Sequence, residues 1–137
     1  MEYFIESKSN SKSKRYVESL LPTLLEQLRL TKSRKMLHIM LDKDCENHGV
    51  TMDLTEMTGC YLIVLRPSRN FTELGMTLAH ELVHVKQMAS GLLKYGSHGA
   101  VYWRGKKYGK KIKYLDSPWE IQAFSRQELL FRRAIES

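Results

Sequence analysis

Five consecutive residues, His80-Glu81-Leu82-Val83-His84, carry the most specific chemical signal in the chain. On a helix, positions four apart share one face, so the two imidazoles can reach one ion. Zinc accepts histidine nitrogens at ~2.0–2.1 Å and, in catalytic sites, keeps a fourth position for water. Glu81, adjacent to the first ligand, is then placed to hydrogen-bond that water and take its proton as it attacks a polarised carbonyl. The spacing therefore predicts metal-assisted hydrolysis, with His80 and His84 as ligands of Zn2+ and Glu81 as the base. Two solvated surface histidines would be the plainer explanation, but the flanks Leu78, Ala79, Leu82, Val83 and Val85 are apolar. A buried helix carries such polar groups only at considerable cost unless they have partners.

A catalytic zinc needs a third protein ligand. The longer motif that supplies a histidine from just beyond the same helix is absent, because Gln87 stands where it needs Gly and Ser90 where it needs His. Two candidates remain. Glu120 lies in Pro118-Trp119-Glu120-Ile121-Gln122-Ala123 at the start of the last helix, where Ala123 is small enough to permit close helix packing. His98 lies in the loop Gly96-Ser97-His98-Gly99. Glu120 also occupies the position of a capping-box glutamate, a purely structural role. It is nevertheless the preferred ligand, since sites of two His and one Glu recur in peptidases and a helix holds a ligand rigidly. His98 is the alternative ligand or a transition-state donor. His38 and His48 have no partner at ligand spacing and read as packing or loop residues. Donors to a developing oxyanion are available by type in Tyr95, Tyr102, Tyr108, Tyr114, His98 and Arg104, and the sequence does not choose among them.

The elements that must position these groups follow from periodicity. Val17, Leu20, Leu21, Leu24, Leu25 and Leu28 repeat at helical spacing within Tyr16 to Leu30, with Pro22 tolerated if the helix starts near Ser19. The serine- and lysine-rich stretch 7–15 reads as a flexible loop. Met36 to Leu41, Gly49 to Leu54 and Cys60 to Leu65 read as strands. Asn70-Phe-Thr-Glu73 has the capping-box pattern, and the apolar residues that follow on most sides predict a buried central helix ending near Gly91. Ala100 to Tyr114 reads as a hairpin around Arg104-Gly105, and Ser117-Pro118-Trp119-Glu120 opens a terminal helix. The expected fold is α+β, a small mixed sheet packed on the buried helix with one helix at each end, in a single domain over 1–137.

At 42% hydrophobic and 27% charged residues, the composition is that of a globular domain. No apolar run approaches the ~20 residues of a membrane span and no secretory signal is evident, so a cytoplasmic location is expected. Cys45 and Cys60 form no CxxC pair, which excludes a cysteine-rich zinc ribbon. The net charge of +7 favours acidic partners. Arg104 to Lys113, with Lys106, Lys107, Lys110 and Lys111 interleaved with Tyr108, suits weak, nonspecific contact with nucleic acid. A zinc protein that binds nucleic acid through this hairpin is therefore the competing function. Glu81 separates the two, because a structural site fills every position with protein ligands and has no use for a base.

HELVH on a helix followed by PWEIQA opening a later one resembles the minigluzincins, metallopeptidases of minimal size. The chain is also similar to small phage-encoded metallopeptidases and, more distantly, to the ImmA/IrrE-type regulatory proteases. The resemblance covers Cys60 to the C-terminus. It implies a minimal zincin-like fold, a peptide or protein substrate, His80, His84 and Glu120 as zinc ligands, Glu81 as general base, and Cys60 to Leu65 as the sheet edge that pairs with an extended peptide. The SprT-like proteases, which act on protein crosslinked to DNA, are a second relative; their third ligand is a histidine, which would promote His98.

Overall fold

Helices lie on one face of a mixed sheet in the computed structural model, which describes residues 1–8, 11–109 and 111–137 and is α+β, as expected. β1 (Tyr3–Ser7) is followed by α1 (Ser11–Gln27) and β2 (Met36–Leu41). β1 and β2 are parallel, with Ile5 beside Ile39, and a parallel pair requires a crossover such as α1. The stretch expected as a loop is thus largely structured: Ser7 ends β1 and residues 11–15 open α1, while Ser9 and Asn10 lie outside the described residues. The leucine stripe explains the longer helix, because Val17, Leu20, Leu21, Leu24, Leu25 and Leu28 are all buried and one turn further back Ser13 is too. Pro22 consequently sits inside α1, where it leaves the Glu18 carbonyl without its helical donor.

β3 (Gly49–Leu54) and β4 (Cys60–Leu65) are joined by the single-turn helix α2 (Thr55–Thr58), which ends on Gly59 at φ 77°, a left-handed conformation suited to glycine. The sheet order is β1-β2-β4-β3. Here the expectation for Cys60–Leu65 fails. β4 is paired on both sides, parallel to β2 and antiparallel to β3, so the edge beside the helices is β3. The run of apolar residues in β4 suits an interior strand with one face fully buried, where Tyr61, Ile63 and Leu65 meet the core.

α3 (Phe71–Ala89) crosses this face as the central helix. The Asn70 side chain accepts the Glu73 N–H at 3.1 Å, the expected N-cap. α4 (Pro118–Glu136) packs along α3, burying Trp119, Ala123, Leu130, Phe131 and Ala134. Their close approach depends on Gly75: a Cβ there would lie 2.2 Å from Phe131 Cε1. Between these helices runs a second, antiparallel sheet of β5 (Leu93–Tyr95), β6 (Val101–Trp103) and β7 (Lys106–Tyr108). The hairpin around Arg104-Gly105 is present, both turn residues having positive φ, but it ends at Tyr108, and Tyr114–Asp116 form a 3-10 turn. One core runs from Ile5 to Ala134. No described helix is long and apolar enough to cross a membrane.

Candidate metal centre

α3 turns His80, Glu81 and His84 toward the start of α4, where Glu120 stands in the first turn. Glu120 does not act as a capping-box side chain. The α4 backbone is closed by the Glu120 N–H donating to the Ser117 carbonyl at 3.1 Å, and the Ser117 hydroxyl donates to the Tyr114 carbonyl at 2.7 Å. That leaves the Glu120 carboxylate to face the histidines. Its Oε1 lies 2.9 Å from His80 Nε2 and 3.0 Å from His84 Nε2. All three residues are buried. Ligand atoms of a tetrahedral ion with zinc–nitrogen bonds are ~3.3 Å apart, so both histidine–carboxylate separations need only a few tenths of an ångström of expansion, and all three ligand atoms lie within 4.8 Å of one another. His80, His84 and Glu120 form the one group of metal-ligating type found among the described residues.

The far sides of the rings settle which nitrogens are available. His84 Nδ1 lies 2.8 Å from Gln87 Oε1, and the Gln87 amide nitrogen donates to the Trp119 carbonyl at 3.0 Å and to Gln122 Oε1 at 2.9 Å. Those two acceptors fix the orientation of the Gln87 amide, so His84 Nδ1 is the donor. With Gln127 Oε1 as acceptor at 2.8 Å, His80 Nδ1 is likewise the donor. In neutral rings both Nε2 lone pairs then face a carboxylate oxygen, which is repulsive unless a cation or a proton stands between them. Hydrogen bonds of this kind on the outer nitrogens are what orient metal-binding imidazoles. The donor set therefore fits a divalent ion.

The electrostatics of the metal-free cluster agree. Burial opposes ionisation of Glu120, but hydrogen bonds and charge from His80 and His84 outweigh it and lower its pKa to about 2. Burial likewise opposes a charged His84, yet Glu120, Gln87 and Glu81 raise its pKa. The site thus attracts positive charge, and protons compete with metal for it. Glu81 behaves differently. Burial raises its pKa, against the lowering effects of His84, the Thr51 hydrogen bond and His80.

Thr51 on β3 donates its hydroxyl to Glu81 Oε1 at 2.7 Å. It can do so because Thr51 is paired with Ile63, whose side chain points to the helix face of the sheet. A groove of about 1000 Å³ runs between β3, α3 and α4 and is lined by all four cluster residues, Tyr95 and Tyr114. Of the donors left open by the sequence, these two tyrosines line the groove; Tyr102, Tyr108, His98 and Arg104 do not. Both hydroxyls have raised pKa values, through burial first and then the negative charge of Glu120 and Glu81.

His98 lies in an exposed 3-10 turn at φ 59° and is not part of the cluster. His38 contacts Glu6 at 2.9 Å, and His48, on the wall of the same groove, contacts Glu73 at 2.8 Å; neither belongs to the cluster. In the hairpin, Trp103 and Tyr108 pack on Trp119 and Lys106 lies over the Tyr108 ring, while Lys110 is outside the described residues. Gln87, Gln127 and Thr51 are the site residues that sequence reasoning missed. A signal existed for Gln87, three residues after His84 on the same helical face, and for Gln127, two turns after Glu120. No family model, curated protein or solved structure matches this chain at a significant level.

Proposed function

We propose that the protein is a zinc-dependent, gluzincin-like endopeptidase. The observation that carries this reading is the convergence of His80, His84 and Glu120 with a neighbouring Glu81 that is not needed to complete the donor set. A purely structural site would place a fourth ligand there. A zinc ion bound by the three residues would polarise the scissile carbonyl and acidify a water molecule.

The remaining chemistry belongs to the chain. An extended peptide pairs with the outer edge of β3, whose Gly49, Val50 and Thr51 line the groove, so that its carbonyl groups run past the centre. Thr51 holds Glu81 Oε1, and Oε2 takes the proton of the attacking water and later delivers it to the departing amine. The raised pKa of Glu81 brings its proton affinity closer to neutrality, where such a shuttle works best. Tyr95 and Tyr114 stay protonated and donate hydrogen bonds to the developing oxyanion. Gln87 and Gln127 hold the imidazoles in place throughout.

The test combines metal analysis with cleavage of a mixed peptide library read by mass spectrometry. Protein purified without chelator should carry about one zinc per chain, lost in His80→Ala/His84→Ala. Glu81→Gln should keep the metal and lose about 10²–10⁴ in rate. Full zinc occupancy in the double variant, or undiminished cleavage by Glu81→Gln, would refute the proposal.

A further inference from the structure

A second cavity, of about 880 Å³, opens where the start of α1, the loop after β2 and the loop between β4 and α3 meet. Lys12, Lys43 and Arg69 line it together with Ser13, Ser68 and Phe71, and no carboxylate does. Of the two acidic residues that flank Lys43, neither lines the cavity, and Asp42 is engaged by Lys8 at 3.9 Å and by the Asp44 N–H at 2.9 Å. Among the described residues, neither Lys43 nor Arg69 has a carboxylate within ion-pair distance. Three cationic side chains from three separate segments thus share one concavity.

Two further features compound the positive potential. The N-terminal ends of α1 and α3, where backbone N–H groups leave partial positive charge, both open toward this region. The first turn of α1 contains Lys12 and no acidic residue, the reverse of what the helix dipole favours. Ser13 is 2% exposed and lines the cavity beside Lys12. A concavity lined by three cationic side chains and no carboxylate suits an anion with several acceptor oxygens.

We propose that this cavity binds phosphate groups, carried by a nucleic-acid strand or a free polyphosphate. Its volume exceeds one phosphate, and Phe71 on its wall, 38% exposed, is stacked on Tyr16 at 4.5 Å, a platform on which a base can lie. The site is distinct from the β6–β7 hairpin, whose Trp103 and Tyr108 are turned inward onto Trp119. Residues 66–73 contribute to this cavity and to the metal groove alike, so a bound strand would be held beside the groove. The proposal does not depend on the peptidase assignment.

The experiment measures binding of a fluorescent oligothymidylate by anisotropy, and of tripolyphosphate and inorganic phosphate by calorimetry, as a function of salt. The variants are Lys12→Gln/Lys43→Gln/Arg69→Gln and, as the comparison, Lys106→Gln/Lys107→Gln/Lys111→Gln. The cavity variant should lose at least about tenfold in affinity, and its log–log salt slope should fall by about 2, since each phosphate contact on a single strand contributes ~0.7. The hairpin variant should stay close to wild type. Competition by tripolyphosphate would place both ligands in one site; binding of tripolyphosphate without the oligonucleotide would identify the free polyphosphate as the source. If the cavity variant fails to fold, Lys43→Gln/Arg69→Gln, both on loops, carries the same test. Loss of binding only in the hairpin variant, or no binding of any phosphate probe at low salt, would overturn the proposal.

Discussion

Replacing Gln87 by Leu removes the group that orients His84 while nearly preserving volume. Gln87 is 1% exposed and makes three hydrogen bonds, to His84 Nδ1, the Trp119 carbonyl and Gln122 Oε1. A neutral hydrogen bond contributes about 1 kcal/mol net, and a buried partner left unpaired costs about 1–3 kcal/mol. Two of the three partners are buried, so the metal-free protein should lose about 3 kcal/mol, or roughly 10 °C in melting temperature for a domain of this size. Zinc affinity should fall about 10–100-fold, the usual effect of losing such a partner. Gln87→Glu separates the two consequences. It retains an acceptor for His84 but cannot donate to Trp119 or Gln122, so it should lose stability while keeping zinc affinity within a few-fold of wild type. Thermal denaturation of metal-free protein and competition with a chromogenic chelator read the two quantities. A Gln87→Leu protein that binds zinc as tightly as wild type would refute the account of how His84 is held.

Glu120→Ala should weaken zinc binding by orders of magnitude and His98→Ala should leave it near wild type, measured by the same competition; a Glu120 variant that kept its metal and lost only ~1 kcal/mol would return Glu120 to a capping role. Glu81→Gln should stabilise the metal-free protein at neutral and higher pH. The raised pKa of Glu81 means that its contribution is intact below the ordinary carboxyl range and is lost as pH rises through the folded-state value. The gain in melting temperature should therefore vanish in acid, and a gain independent of pH would contradict the burial argument. Gly75→Ala should destabilise the fold by about 1 kcal/mol, because overpacking against Phe131 outweighs the helix propensity of alanine; a higher melting temperature would show that α4 is free to shift.

What the sequence revealed of the site was the part confined to one helix. His80, Glu81 and His84 are related by helical spacing alone, so their common face is legible without knowledge of the fold. Glu120 was ambiguous because its place in the first turn of α4 suits both capping and ligation, and only the packing of α4 on α3 decides between them. Gln127 shares a helical face with Glu120 but takes its role from His80 on another element, and nothing in the neighbourhood of Thr51 marks it. The same limit explains the strands. The apolar composition of β4 identifies it as a strand but cannot give its order in the sheet, and the edge that the resemblance implied for it is instead β3. β1 is a five-residue strand in a polar setting and acquires its identity from pairing with β2. In α1 the buried stripe carried the helix back through serines and lysines whose local preferences favour a loop.

The His84–Glu120 contact joins residues 36 positions apart, and β5, β6 and β7 all lie inside that interval. An ion held there is a reversible cross-link closing a long loop, and the chain-entropy model assigns such a closure about 4 kcal/mol relative to an open chain. The four-stranded sheet lies outside the loop and is tied down by its own strand pairing, parallel between β1, β2 and β4 and antiparallel between β4 and β3. If zinc occupies the site, chelation should therefore slacken the two halves of the molecule unequally: amide hydrogens of the three-stranded sheet and the start of α4 should exchange faster, while those of β2 and β4 keep their protection.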